Sequence, residues 1–220
     1  MADIRRALLV MAKRPEAGAT KTRLCPPLTP ERAAALYACF LADVVEMARA
    51  VARSVPGLVP TIAYAPDDAA GYFRALAPDF ALVLQTGATL GERLAAVMSG
   101  ALASGHGQVA AINSDSPSLP AAYLAQAFAA LDDPAADVVF GPCDDGGYYL
   151  IGWKRPLSFL VRDVAMSTPH TLADTLALAD AAGLRVALLP PWYDVDGPED
   201  LERLAKDVGL GRHTREFLAS

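Results

Sequence analysis

A chain of 220 residues suits one domain of ordinary upper size, able to bury about 70% of its unfolded surface without disulfide or metal staples. Its 53% hydrophobic and 20% charged residues exclude a disordered chain and fit a sheet covered on both faces. The formal charge of -6 argues against a nucleic-acid partner, which calls for a basic surface to displace counterions from phosphates.

Ala7 to Ala12 is a short continuous apolar run, read as a strand buried on both faces and too short for a signal-peptide core or a membrane span. The loop after it gathers Lys13, Arg14, Lys21 and Arg23 around Gly18, and a basic loop directly after a first strand is where α/β folds hold phosphates. It is not a P-loop. Gly18-Ala-Thr-Lys-Thr22 lacks the glycine that should precede the lysine, and Pro26-Pro27 delays any helix. Thr29-Pro30-Glu31 starts a helix with a capping Thr and Pro at the first helical position. Leu36, Tyr37, Phe40, Leu41, Val44, Val45, Ala48 and Val51 form its packing face, and Pro56-Gly57 ends the segment. A strand over Thr61 to Ala65, a helix from Asp67 to about Ala77 and a strand over Phe80 to Gln85 follow. Gln85 to Leu94 turns into a helix that runs to about Ser104, with Gln85 and Arg93 placed to face a ligand across the strand ends, although an arginine in Arg93's position more often forms a surface salt bridge.

Gly105-His-Gly107 breaks the chain before the strand Gln108 to Asn113, which delivers Asp115 and is stopped by Pro117. A carboxylate just beyond a buried strand sits where open α/β sheets bind ligands, so Asp115 is expected to hold a divalent metal against a nucleotide diphosphate. A helix from Leu119-Pro120 to about Leu131 and a strand over Asp137 to Phe140 lead to Gly141-Pro-Cys-Asp-Asp-Gly-Gly-Tyr-Tyr-Leu-Ile-Gly152. Its Asp-Gly pair signals a hairpin, with a strand resuming over Tyr148 to Trp153. Asp144 and Asp145 read either as solvated turn residues or, one of them, as a substrate ligand. Met166 to Leu172 opens a helix reaching about Ala182, with Ser167 or Thr168 as cap, Pro169 in the first turn and Gly183 closing it. Leu184 to Leu189 is the last long strand. In Trp192-Tyr-Asp-Val-Asp-Gly-Pro-Glu-Asp-Leu201, Asp196 is either the cap of the helix begun by Pro198 or a crevice residue, and Asp194, which alternates with it, is equally placed to be the one facing the crevice. Gly211 to Leu218 forms a final short helix.

The alternation of strand and helix with short connections gives an α/β class fold, a three-layer α/β/α sandwich around a mostly parallel mixed sheet, as one domain over 1–220. Cys25, Cys39 and Cys143 are scattered and in no C-x-x-C pattern, so they read as reduced thiols of a cytoplasmic protein rather than a disulfide framework or zinc site.

Five segments together carry a resemblance: Lys13-x-Pro15-x-x-Gly18-x-x-Lys21-Thr-Arg-Leu24, Leu90-Gly-Glu-Arg-Leu94, Asp115-Ser-Pro117, Gly141-Pro-x-x-Asp-Gly-Gly-Tyr-Tyr-Leu-Ile-Gly152 and Asp194-Val-Asp-Gly-Pro-Glu-Asp-Leu201. With them the chain resembles the nucleotide-diphospho-sugar transferase superfamily of the GT-A type and, more closely, the glycosyltransferase-like family DUF2064. The resemblance implies a GT-A-like fold in which Ala12, Lys13 and Gly18 lie by the base and ribose, with Lys21, Thr22 and Arg23 nearer the phosphates. It implies Mg2+ or Mn2+ on Asp115 and, by likeness to the late V-D-T-P-E-D-L acid of the sugar-activating cytidylyltransferases, on Asp196. The first loop departs from the L-x-A-G-x-G-T-R sequence of the nucleotidyltransferases, keeping only Thr22-Arg23, and Asn113-Ser-Asp115 is not a D-x-D.

The implied activity is glycosyl transfer from a nucleoside-diphosphate sugar to a small acceptor, with Asp115, Lys21 and Asp145 as the catalytic group. Asp144, Asp145, Gly146, Gly147 and Tyr148 are then the substrate wall, and Gln85 and Arg93 join the nucleotide site. The alternatives are nucleotidyl transfer from a nucleoside triphosphate to a phosphorylated small molecule, and a nucleotide-binding module without catalysis.

Overall fold

The first apolar run becomes β1 (Arg6–Lys13), whose alternate residues serve opposite sides of the sheet. Leu8, Val10 and Ala12 join one buried cluster, while Ala7 and Leu9 join the other. Such two-sided burial suits a central strand of a sheet covered on both faces, and β1 pairs in parallel with β2 (Leu58–Ala65) and with β4 (Gln108–Ile112). This computed structural model describes residues 4–220.

Seven strands form one sheet, completed by β3 (Ala81–Leu84), β5 (Val138–Pro142), β6 (Tyr148–Trp153) and β7 (Val186–Leu188). Their order is β3-β2-β1-β4-β6-β5-β7, and β6 runs antiparallel to both of its neighbours. The helices are α1 (Pro30–Ser54), α2 (Ala70–Leu76), α3 (Leu90–Ala103), α4 (Ala121–Asp132), α5 (Phe159–Arg162), α6 (Thr171–Ala181), α7 (Pro198–Lys206) and α8 (Arg212–Leu218). Residues of α1, α2, α4 and α7 fill the first cluster, and those of α3, α5 and α6 the second, so the expected three-layer sandwich is present. Each fully buried large side chain, such as Phe40 of α1 or Phe128 of α4, stabilises this packing by roughly 1.5–3 kcal/mol. Among the described residues no helix is long and apolar enough to cross a membrane.

Three local expectations need correction. The helix expected from Asp67 begins as a 3-10 turn over Asp67–Ala69 before α2. The four-residue α5 was not anticipated, because so short an apolar turn has no period to read. Neither Ser167 nor Thr168 caps α6, which starts only at Thr171. Ser167 instead adopts a left-handed conformation with φ of 60°, and the Thr171 hydroxyl bonds back to the carbonyls of Ala165 and Thr168. What holds this segment off the helix is its docking on the β5–β6 hairpin. The Leu172 amide donates to the Gly146 carbonyl at 2.9 Å, and at Gly146, with φ of 89°, an added Cβ would lie 2.0 Å from the Pro169 carbonyl oxygen.

Candidate functional site

The loops after β1, β4 and the β5–β6 hairpin all leave the carboxyl ends of their strands and enclose a cleft of about 620 Å3. Two polar ties fix its floor. The Val195 amide donates to the Asp115 carbonyl at 2.9 Å, which sets the Asp194–Asp196 segment alongside the loop after β4. Behind it, the Ser114 hydroxyl donates to the Met11 carbonyl at 2.9 Å, leaving the Tyr37 hydroxyl to donate to Ser114 at 2.7 Å while accepting from the Lys13 amide at 3.2 Å. Burial foremost, then the charge of Asp115, pushes the Tyr37 phenol well above its ordinary range, so this bridge stays neutral.

Lys21 is the centre of the site. It has φ of 50°, a left-handed conformation uncommon for a residue with a side chain, and it directs its ammonium inward from the first loop. Its Nζ lies 2.6 Å from Asp115 Oδ1 and 2.8 Å from Asp196 Oδ1, and donates to the Val195 carbonyl at 2.7 Å. Only 7% of the side chain is exposed. Burial pulls such an ammonium downward, but the two carboxylates outweigh it and hold Lys21 above the lysine range. Arg23, largely exposed, stands 3.5 Å from the other oxygen of Asp196.

Asp196 is therefore engaged by side chains of the first loop and does not cap α7. Asp200 takes the capping role, accepting from the amides of Asp196 at 2.9 Å and Gly197 at 2.7 Å. Asp194 also lines the cleft, with its carboxyl oxygen, an Asp145 oxygen and the Cys143 sulfur all within 4.8 Å of one another. Burial first, then the charges of Asp196, Asp145 and Asp115, push the Asp194 carboxyl up to about 7. Burial first, then the charges of Asp194, Asp145, Asp144 and Asp196, raises Cys143, which remains a thiol. Four carboxylates thus face one cleft, and the one buried cation among them is Lys21. This oxygen-rich set fits a hard divalent ion, and the ammonium already held between Asp115 and Asp196 marks where positive charge is stable.

Of the residues singled out from the sequence, Ala12, Lys13, Lys21, Thr22, Arg23, Gln85, Asp115, Asp145, Gly147, Tyr148 and Asp196 line the cleft. Gly18, Arg93, Asp144 and Gly146 lie outside its lining. Arg93 folds back to the Gly87 carbonyl at 2.9 Å, and Asp144 pairs with Arg203 at 2.7 Å. Gln85 commits its amide to the carbonyls of Ala12 and Ala63, so it fixes the strand ends as well as facing the cleft. Asp145 accepts the Gly147 amide at 2.8 Å, which orients its carboxylate within the hairpin turn.

The alternation of Asp194 and Asp196 left open which of them faces the crevice, and both line it, while Tyr37 was read as core. Sequence reasoning missed the wall of Met166, Ser167, Thr168 and Pro169 opposite the first loop. The wall had no signal, because its backbone follows the tertiary contact with Gly146.

The strand order, with one antiparallel strand inserted beside β4, and the acidic cleft at the strand ends define a nucleotide-diphospho-sugar transferase fold. The chain belongs to the family DUF2064, described as an uncharacterized protein conserved in bacteria, whose model matches residues 47–168. A Desulfovibrio desulfuricans G20 protein provisionally described as a nucleotide-diphospho-sugar transferase is 32% identical, with 91% of this chain and 86% of that one covered and a TM-score of 0.83. At 15% identity, CMP:2-keto-3-deoxy-manno-octonic acid synthetase, solved with CTP, shares the fold over 90% of this chain and 96% of its own, with a TM-score of 0.59. Glucosyl-3-phosphoglycerate synthase from Mycobacterium tuberculosis, solved with Mg2+ and uridine diphosphate, does so at 13% identity over 98% of this chain and 77% of its own, with a TM-score of 0.54. No curated protein matches the chain.

Proposed function

We propose that the protein is a metal-dependent transferase acting on a nucleotide-activated substrate, and that the group transferred is a glycosyl unit carried by a nucleoside diphosphate to a small acceptor. The observation that carries this reading is the convergence of Asp115, Asp194 and Asp196 with Lys21 at the carboxyl ends of the strands. Asp115 and Asp196 hold Mg2+ or Mn2+, which when bound supplies positive charge to the leaving diphosphate. The first loop takes the nucleotide. Ala12 and Lys13 at the end of β1 flank the base and ribose, while Thr22 and the exposed Arg23 face the phosphates. Asp145, oriented by the Gly147 amide, lies across the cleft where it orients an acceptor hydroxyl and accepts its proton. Tyr148 and the Met166–Pro169 wall enclose the sugar and exclude water.

Nucleotidyl transfer from a nucleoside triphosphate is the second reading. The specific observation in its favour is that Asp115 and Asp196 come from distant loops and meet on one cation, as the cytidylyltransferase-like V-D-G-P-E-D-L segment implies. A thermal-shift screen of nucleoside diphosphate sugars against nucleoside triphosphates, each with Mn2+, separates the two, because a ligand that binds only the folded state raises the melting temperature. Stabilisation by a diphosphate sugar, followed by release of the diphosphate on adding acceptors, supports glycosyl transfer. Stabilisation confined to triphosphates, with pyrophosphate release, supports the second reading.

A further inference from the structure

Lys21 is held more completely than a phosphate ligand awaiting its substrate should be. Its Nζ donates to Asp196 Oδ1 at 2.8 Å and to the Val195 carbonyl at 2.7 Å, and Asp115 Oδ1 pairs with it at 2.6 Å, so two carboxylates and a carbonyl crowd the ammonium before any phosphate arrives. The two carboxylates that Lys21 links are also those assigned to the metal, so an ion drawn to both would compete with the ammonium for them. Arg23 does not block the site in the same way, because its guanidinium is 76% exposed and stands off at 3.5 Å.

We propose that Lys21 is a built-in counter-cation that occupies the divalent-ion site until nucleotide phosphates offer its ammonium another anion. This rests on the reading of Asp115 and Asp196 as metal ligands. The chain's own ammonium then competes with the free ion. Metal binds weakly to the protein alone, and binding becomes strong when phosphate oxygens draw Lys21 outward and leave both carboxylates to the ion. Metal and nucleotide therefore favour one another's binding, and by linkage the favourable effect is equal in both directions. The device also solves an electrostatic problem. Without metal, Asp115 and Asp196 would face each other in a partly buried cleft with no cation between them, and Lys21 removes that repulsion.

The test is Mn2+ binding to the protein without nucleotide, read from the free-ion signal in electron paramagnetic resonance, for the parent, Lys21→Met, Lys21→Arg and Asp115→Asn. The proposal expects Lys21→Met to bind Mn2+ at least about ten-fold more tightly than the parent, Lys21→Arg to stay near the parent, and Asp115→Asn to lose the site. Unchanged or weaker binding in Lys21→Met, with loss in Asp115→Asn, overturns the counter-cation while leaving the metal reading intact. Unchanged binding in Asp115→Asn overturns both. Should Lys21→Met not fold, the parent labelled with 15N lysine carries the test. Its slowly exchanging side-chain ammonium signal is expected to shift or vanish as Mg2+ is added, and a signal that persists unchanged at saturating Mg2+ overturns the proposal.

Discussion

At the amino ends of the strands, Arg6 donates to Gln108 at 3.0 Å, to the Pro56 carbonyl at 2.7 Å and to Asp132 at 2.7 Å. Nearby, Asp137 before β5 takes two bonds from the Arg185 side chain and one from its amide, with Arg155 3.6 Å away. At the carboxyl ends of the same sheet, Asp115, Asp145, Asp194 and Asp196 face one cleft, and its buried Lys21 pairs with Asp115 and Asp196. The consequences for the carboxyls are opposite. The Arg185 hydrogen bonds hold Asp137 far below the usual carboxylate range, whereas burial among acids lifts Asp194 to about 7. One end pairs Asp132 and Asp137 with arginines and serves stability, while the other keeps an excess of negative charge that suits a cationic ligand.

Substitutions at the two ends should therefore move stability in opposite directions. The largest effect is expected for Arg6→Ala, a loss of about 2–3 kcal/mol in denaturant unfolding, because the buried Gln108 side-chain oxygen loses its donor and Asp132 its arginine. Ligand binding per folded molecule should be unaffected. Tyr37→Phe, at the seam between core and cleft, should cost about 1 kcal/mol by leaving Ser114 and the Lys13 amide without their bridge. Unlike Arg6→Ala, it should also weaken ligand binding, which calorimetry would register.

Smaller effects appear as pH slopes. Asp137 has a depressed folded pKa, so its contribution is present above the unfolded carboxylate value of about 3.9 and is lost as pH falls. The parent should accordingly lose melting temperature below about pH 4 more steeply than Asp137→Asn. Asp194 has the reverse sign. Its folded pKa is raised, so the metal-free protein loses stability as pH climbs from the unfolded carboxylate value towards about 7. Asp194→Asn should melt higher than the parent at alkaline pH and show no gain under acid conditions. A parallel pH profile for the two would break the contrast between the ends of the sheet.

Much of this was legible in the sequence where the signal is local. The apolar run at Ala7–Ala12 and the Thr29-Pro30 start marked β1 and α1, and the Asp-Gly turn marked the β5–β6 hairpin. Thr29 does cap α1, accepting the Arg32 amide. The insertion of β6 between β4 and β5 was not legible, since a hairpin signal names one partner of a strand and leaves the other to tertiary packing. In the candidate site, the placing of Asp115, Lys21 and Asp196 at the strand ends was expected from position after strands and from family motifs, and all three line the cleft. Their mutual ion pairs depend on the left-handed backbone at Lys21 and on the Val195–Asp115 hydrogen bond, which no spacing rule encodes. Arg93 and Gly91 show the converse. A motif can be architectural, for a Cβ on Gly91 would lie 2.0 Å from the Val161 carbonyl oxygen, and Arg93 serves the turn that starts α3.

The proposed metal on Asp115, held against a nucleotide diphosphate, is tested most directly by calorimetric titration of nucleoside diphosphates and their sugars into the parent and Asp115→Ala, with and without Mn2+. Binding by the parent is expected to be strengthened at least about ten-fold by Mn2+, a difference of about 1.4 kcal/mol, and Asp115→Ala to fold but lose that Mn2+ dependence. Metal-dependent binding that persists unchanged in Asp115→Ala would contradict it.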